Sequence, residues 1–124
     1  MSPKKILIVD DQKALRLQLV RKLRAAGHTL TVAASGEEAL AVASDVRPQL
    51  IALHAEIPGT DPFETCSNIR KLPELAGCRI VLYAGADTAH FDRKGLESGA
   101  DRCLRKGHRT SELLSQIQEM LAAA

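Results

Sequence analysis

Asp10 and Asp11 stand side by side directly after Ile6–Val9, a run of four apolar residues. Adjacent carboxylates repel each other and need a cation or a basic side chain nearby. As hard oxygen ligands they suit Mg²⁺, which keeps most of its waters and takes one or two carboxylates. Three further positions share this setting, each closing a stretch that reads as a strand. His54 follows Leu50–Leu53, Ala84 follows Ile80–Tyr83, and Lys106 follows Arg102–Arg105. Asp-Asp alone is a weak signal, because many surface turns contain it. The succession KKILIVDD, PQLIALHAEIPG, IVLYAGAD and GADRCLRKG, in that order, strengthens it.

The elements that must position these residues can be read from periodicity. Ile6–Val9 is a continuous apolar run, as in a strand buried on both faces. Leu15, Leu19 and Leu23, four apart, form one face of a helix that ends at Gly27. Thr29–Ala34 is rich in β-formers. Ser35 with Glu38 three residues on is a capping box that opens a second helix, stopped by Pro48. Leu50–Leu53 is a third strand, followed by a loop with Pro58–Gly59. Asp61, Pro62 and Glu64 are set to start a third helix, which the pattern ends near Leu72, before Pro73.

Ile80–Tyr83 is a fourth strand, and a fourth helix starts at Asp87 or Thr88 and stops at Gly99. Arg102–Arg105 is a short fifth strand. A last helix runs from about Thr110, with Leu113, Ile117 and Leu121 on one face. Five strands alternating with five helices predict an α/β fold, a parallel doubly wound sheet covered on both sides. In such sheets sites form at the carboxyl ends of the strands, which is where Asp10, Asp11, His54, Ala84 and Lys106 fall.

The totals are consistent with one domain over residues 1–124. Hydrophobic residues make up 45% and charged residues 26%, while aromatics are only 2%, so the core must be aliphatic. A net charge of +2, with bases and acids interspersed and no aromatic–basic alternation, gives no reason to expect nucleic-acid binding. The cysteines Cys66, Cys78 and Cys103 are odd in number and match no zinc spacing, so buried or half-buried free thiols are expected. No apolar stretch near the start is long enough for a signal peptide or membrane span, which leads to the expectation of a cytoplasmic protein with no membrane contact. Catalysis is not expected either. There is no nucleophile–base–orienter set, and DDQKA occupies the turn where a glycine-rich phosphate loop would stand.

Taken together, KKILIVDD, SGEEAL, the strand before the IPG loop, and GAD with a downstream lysine resemble the receiver domains of two-component response regulators over essentially the whole chain. The resemblance implies a flavodoxin-like (βα)5 sheet of order 2-1-3-4-5. It also implies an Asp at the end of strand three that accepts a phosphoryl group from a histidine kinase. The acidic pair would hold Mg²⁺, a Ser or Thr after strand four and a Lys after strand five would contact the phosphoryl oxygens, and an aromatic on strand five would change rotamer. Asp10, Asp11 and Lys106 match that pattern. His54 stands at the acceptor position, Ala84 at the hydroxyl position, Cys103 at the aromatic switch position, Gly107 after the lysine and Pro62 after the loop's Asp61.

These departures predict a degenerate pocket. Imidazole replaces an oxygen ligand, so Mg²⁺ at Asp10 and Asp11 should be weak or absent, and no cofactor is expected. Three readings of His54 stay open. It could accept phosphate itself, or it could join Asp10 and Asp11, with Glu56 two residues on, around a borderline metal such as Zn²⁺. In the simplest reading Lys106 and His54 neutralise the acidic pair without metal. His28, His90 and His108 are expected to be exposed. The expected function is a phosphorylation-independent signalling module that binds another protein. The alternatives are a working phosphoacceptor receiver using a non-standard residue, and a small-molecule or redox sensor. Arg93, Lys94, Arg102, Arg105, Lys106 and Arg109 mark the helix four–strand five–helix five face for an acidic signalling partner or a second copy of the chain.

Overall fold

The computed structural model describes residues 3–85, 90–104 and 110–122. Its strands are β1 (Lys5–Val9), β2 (Thr29–Ala33), β3 (Leu50–His54), β4 (Arg79–Tyr83) and β5 (Arg102–Leu104). The helices are α1 (Lys13–Ala25), α2 (Gly36–Val46), α3 (Pro62–Arg70), α4 (Phe91–Glu97) and α5 (Thr110–Ala122). All strand pairs are parallel, in the order β2-β1-β3-β4-β5. The expected doubly wound sheet is the one observed.

Strand alternation divides the core into two layers. Leu7, Val9, Ile51, Leu53, Ile80 and Leu82 face Ala39, Ala43, Cys66, Ile69 and Phe91 from α2, α3 and α4. Ile6, Ile8, Leu50, Ala52, Val81 and Tyr83 face Leu19, Leu23, Leu113, Ile117 and Leu121 from α1 and α5. The central strands β1, β3 and β4 are covered on both sides, which explains their unbroken apolar runs.

Local signals explain the helix ends. Ser35 Oγ accepts from Glu38 N at 3.2 Å, while Glu38 Oε1 accepts from Ala34 N at 3.1 Å, one residue upstream of the expected partner. Asp61 Oδ1 accepts from Phe63 N and Glu64 N, with Pro62 in the first turn of α3. Gly27 and Gly99 adopt positive φ just beyond α1 and α4, the conformation that favours glycine at a helix exit.

The sequence reading needs three corrections. α3 ends at Arg70 rather than Leu72, because Pro73 forces Leu72 into extended backbone and a short 3-10 turn, Pro73–Leu75, follows. α4 begins at Phe91, after His90 in the left-handed region; Asp87 and Thr88, where a start was expected, lie outside the described residues, as does Arg105. His28 is buried rather than exposed. The turn from α1 into β2 sets it beside the residue preceding β1, where its Nδ1 accepts from Lys4 N at 3.1 Å.

Candidate functional site

β1 and β3 end side by side, and β3 pairs with β4 so that His54 lies opposite Tyr83. Asp10, His54 and Tyr83 have the same strand parity and point toward the α1–α5 layer. Ala84 has the opposite parity and belongs to the core layer of Leu53, Leu82 and Phe91, while also bordering the cavity beside His54.

Asp10 is fully buried and well supplied with donors. Its Oδ1 accepts from Gln12 N at 2.8 Å, and its Oδ2 accepts from the Tyr83 hydroxyl at 2.6 Å. Its backbone carbonyl accepts from Arg16 Nη1 at 3.0 Å. Asp11 is exposed at the mouth of the site. Burial pushes the Tyr83 hydroxyl well above the ordinary phenol range, with help from the Asp10 charge, so it stays a donor to Asp10.

His54 is only 6% exposed. Its Nδ1 lies 3.7 Å from Asp10 Oδ1 and its Nε2 lies 3.7 Å from Glu56 Oε1, so a carboxylate faces each ring nitrogen. Neither distance is a hydrogen bond. Nδ1 is buried and has no hydrogen-bond partner among the described residues. The ring lies 5.1 Å from Tyr83, centroid to centroid. Glu56 also accepts from Gly85 N, tying the loop after β3 to the end of β4. Gln12, His54, Glu56, Tyr83, Ala84 and Leu113 of α5 line a cavity of about 190 Å³.

The structure therefore brings Asp10, Asp11 and His54 together, sets Ala84 on the wall of the same cavity, and places Cys103 under α4. Gly95 makes that last contact possible, since a Cβ there would overlap Cys103 Sγ and lie 3.2 Å from Leu82 Cδ1. Lys106 lies outside the described residues, and so do Arg109 and His108. Sequence reasoning missed Tyr83 and Arg16. Counting by twos from His54 across the β3–β4 register would have found the tyrosine.

On the face expected to be basic, the described residues Arg93, Lys94 and Arg102 each have a partner, while Arg105, Lys106 and Arg109 lie outside the described residues. Arg102 Nη2 pairs with Glu119 at 3.0 Å, Arg93 lies 3.9 Å from Glu97, and Lys94 sits over the Phe63 ring. A second positive element is α1, where Lys13, Arg16, Arg21, Lys22 and Arg24 occur without an acid. Lys13, Arg16 and Arg24 flank Leu17 and Val32, which are 49% and 39% exposed.

The pattern of the response regulator receiver domain matches residues 6–118. The chain belongs to that family. This receiver domain is 35% identical over 116 residues to the transcriptional regulatory protein AfsQ1 of Streptomyces coelicolor, covering 94% of this chain and 50% of that one. It is 36% identical over 122 residues to a probable transcriptional regulator, ycf27, of Cyanophora paradoxa, covering 98% and 49%. The chain thus spans about half the length of the curated relatives it matches. Among solved structures it is similar to the chemotaxis response regulator CheY4 of Vibrio cholerae, with TM-score 0.86 and 27% identity over 95% of this chain and 98% of that one. It is also similar to a CheY-like receiver domain from Methanospirillum hungatei, with TM-score 0.88 and 27% identity over 98% and 96%.

Receiver domains bind Mg²⁺ in their acidic pocket, and the comparable cluster here is Asp10, Asp11 and His54, with ligand atoms within 4.8 Å of one another. The donor set fits Mg²⁺ poorly. That ion demands near-octahedral oxygen coordination at about 2.0–2.1 Å, whereas a buried, unpaired imidazole nitrogen occupies one side of this cluster. Among the described residues no helix is long and apolar enough to cross a membrane.

Proposed function

We propose that this receiver domain signals without taking up a phosphoryl group, by presenting a fixed pocket and a basic face to another protein. The observation that carries the reading is His54 itself. The resemblance implies an acceptor Asp at the end of β3, whose carboxylate would attack phosphorus while sharing a metal with it. The residue there is an imidazole held among Asp10, Glu56 and Tyr83.

Two further observations support a pocket fixed in one state. Ala84 borders the cavity beside His54 and offers no hydroxyl there. Cys103 stands where the resemblance implies a mobile aromatic ring, and its Sγ packs against Gly95 of α4. The redox alternative is weakened by the thiols themselves. Burial pushes Cys66 to about 11, Cys78 to about 12 and Cys103 to about 11, so little reactive thiolate forms near neutral pH.

The partner would meet α1. Lys13, Arg16 and Arg24 around the exposed Leu17 and Val32 suit an acidic, partly apolar protein segment. The test of the phosphoryl-free reading is titration with Mg²⁺ and beryllofluoride followed by backbone NMR. Unchanged resonances in the wild type, with shifts gained by a His54→Asp, Ala84→Thr double variant, are expected. Shifts spreading from β3 to α4 in the wild type would overturn the reading.

A further inference from the structure

We propose that Asp10, Asp11 and His54 form a site selective for a borderline divalent transition cation of the Zn²⁺ type over Mg²⁺. The inference goes beyond the phosphoryl-free reading and does not depend on it.

The first observation is the orphaned nitrogen. His54 Nδ1 is buried, lacks a hydrogen-bond partner among the described residues, and points at the carboxylates. A buried polar atom without a partner carries a desolvation cost that a ligand would remove. Its 3.7 Å separation from Asp10 Oδ1 is too long for a hydrogen bond. Two ligands on one tetrahedral Zn²⁺, at Zn–N and Zn–O lengths of about 2.0–2.2 Å, lie about 3.4 Å apart. A closure of a few tenths of an ångström therefore seats the ion between them.

The second observation is the far side of the ring. His54 Nε2 faces Glu56 Oε1 at 3.7 Å, and Glu56 is itself anchored on Gly85 N. Metal-bound histidines almost always give their other N–H to a carboxylate or carbonyl, which fixes the tautomer and raises the basicity of the ligating nitrogen. Here a carboxylate stands 3.7 Å from Nε2, beyond hydrogen-bond length, and a small side-chain movement would bring it into that role. Asp10 retains capacity as well: each of its oxygens accepts one bond, from Gln12 N and from Tyr83, and keeps a further lone pair. Asp11 closes the set from the exposed side, leaving one tetrahedral position open to solvent.

Selectivity follows from ligand chemistry. One imidazole and two carboxylates suit Zn²⁺, Co²⁺ or Ni²⁺, whereas Mg²⁺ gains nothing from nitrogen. In one rigid pocket, cation occupancy would bridge β1 and β3, so it could modulate the domain without any group transfer.

The test is calorimetric titration of the wild-type chain with ZnCl₂ and, separately, MgCl₂, with the His54 ring followed by NMR. The expected result is one Zn²⁺ per chain at micromolar affinity or tighter, with the His54 signals moving, and at least a hundredfold weaker Mg²⁺ binding. His54→Ala and Asp11→Asn should each weaken Zn²⁺ at least tenfold. His54→Asp, keeping a ligand of the oxygen type, should shift preference back toward Mg²⁺. Absence of Zn²⁺ binding, Zn²⁺ binding indifferent to both single variants, or Mg²⁺ binding of equal strength would each overturn the proposal. Circular dichroism of the variants separates loss of ligand from loss of fold. None of these readouts involves phosphate, so failure here leaves the phosphoryl-free reading standing, and the reverse also holds.

Discussion

Replacing Tyr83 by Phe removes one atom, the hydroxyl oxygen that donates to the buried carboxylate of Asp10 at 2.6 Å. Nothing else about the ring's packing need change, since Tyr83 sits in the α1–α5 layer among aliphatic side chains. Asp10 is fully buried, so water cannot easily replace the lost donor, and Gln12 N remains to serve its other oxygen. Hydrogen bonds to charged groups contribute about 1.5–3 kcal/mol, and a midpoint of about 2 kcal/mol is the expected loss. For a domain of this size the urea dependence is about 1.5 kcal/mol per molar, so the unfolding midpoint should fall by roughly 1.3 M. The assay is urea denaturation followed by circular dichroism at neutral pH. A double-mutant cycle sharpens it, because in an Asp10→Asn background the same change should cost less than half as much. A wild-type-like midpoint for Tyr83→Phe, or an equal loss in both backgrounds, would refute the claim that this bond supports the buried acid.

Three further outcomes follow from particular contacts. Gly95→Ala should destabilise the domain by about 1–3 kcal/mol through overlap with Cys103 and Leu82, and Cys103→Ala should recover part of that loss in the same urea assay. With its thiol raised from 9.0 to about 11, Cys103 should alkylate on the order of a hundredfold more slowly than a free cysteine at pH 7.5, and the rate should climb with pH until about 11. Burial and the nearby Asp92 disfavour the thiolate, so the sign is fixed: rising pH increases reactivity, and a plateau near pH 8 would contradict it. Titration with a Glu- and Leu-rich amphipathic peptide should shift amide resonances of α1 and β2, and shifts confined to α4 and α5 would place the partner face elsewhere.

Much of the fold was legible because the central strands advertise themselves. Ile6–Val9, Leu50–Leu53 and Ile80–Tyr83 are apolar without interruption, which only a sheet covered on both faces requires. Gly27 and Gly99 marked helix exits for a backbone reason, and Asp61-Pro62 marked a helix start for a hydrogen-bonding one. The strand ends also gave Asp10, Asp11 and His54 as neighbours, since parallel strands in this order must bring them together. What the pattern hid was the third dimension of side-chain partnership. Tyr83 read as one more apolar strand residue, and only the β3–β4 register puts its hydroxyl on Asp10. His28 read as a polar helix-end residue because nothing local reveals that the turn sets it beside the residue preceding β1. Pairing within the α4–β5–α5 face was hidden for the same reason. Arg102 counts as a free cation in sequence, yet its partner Glu119 is 17 residues away.

The central claim is that residue 54 no longer captures phosphorus, and intact-protein mass spectrometry under phosphodonor conditions reaches it most directly. After incubation with acetyl phosphate and Mg²⁺, the wild-type chain should retain its unmodified mass while the His54→Asp, Ala84→Thr chain acquires a labile phosphoryl adduct. A stoichiometric adduct on the wild type, mapped to His54 or to Asp10 or Asp11, would contradict the account.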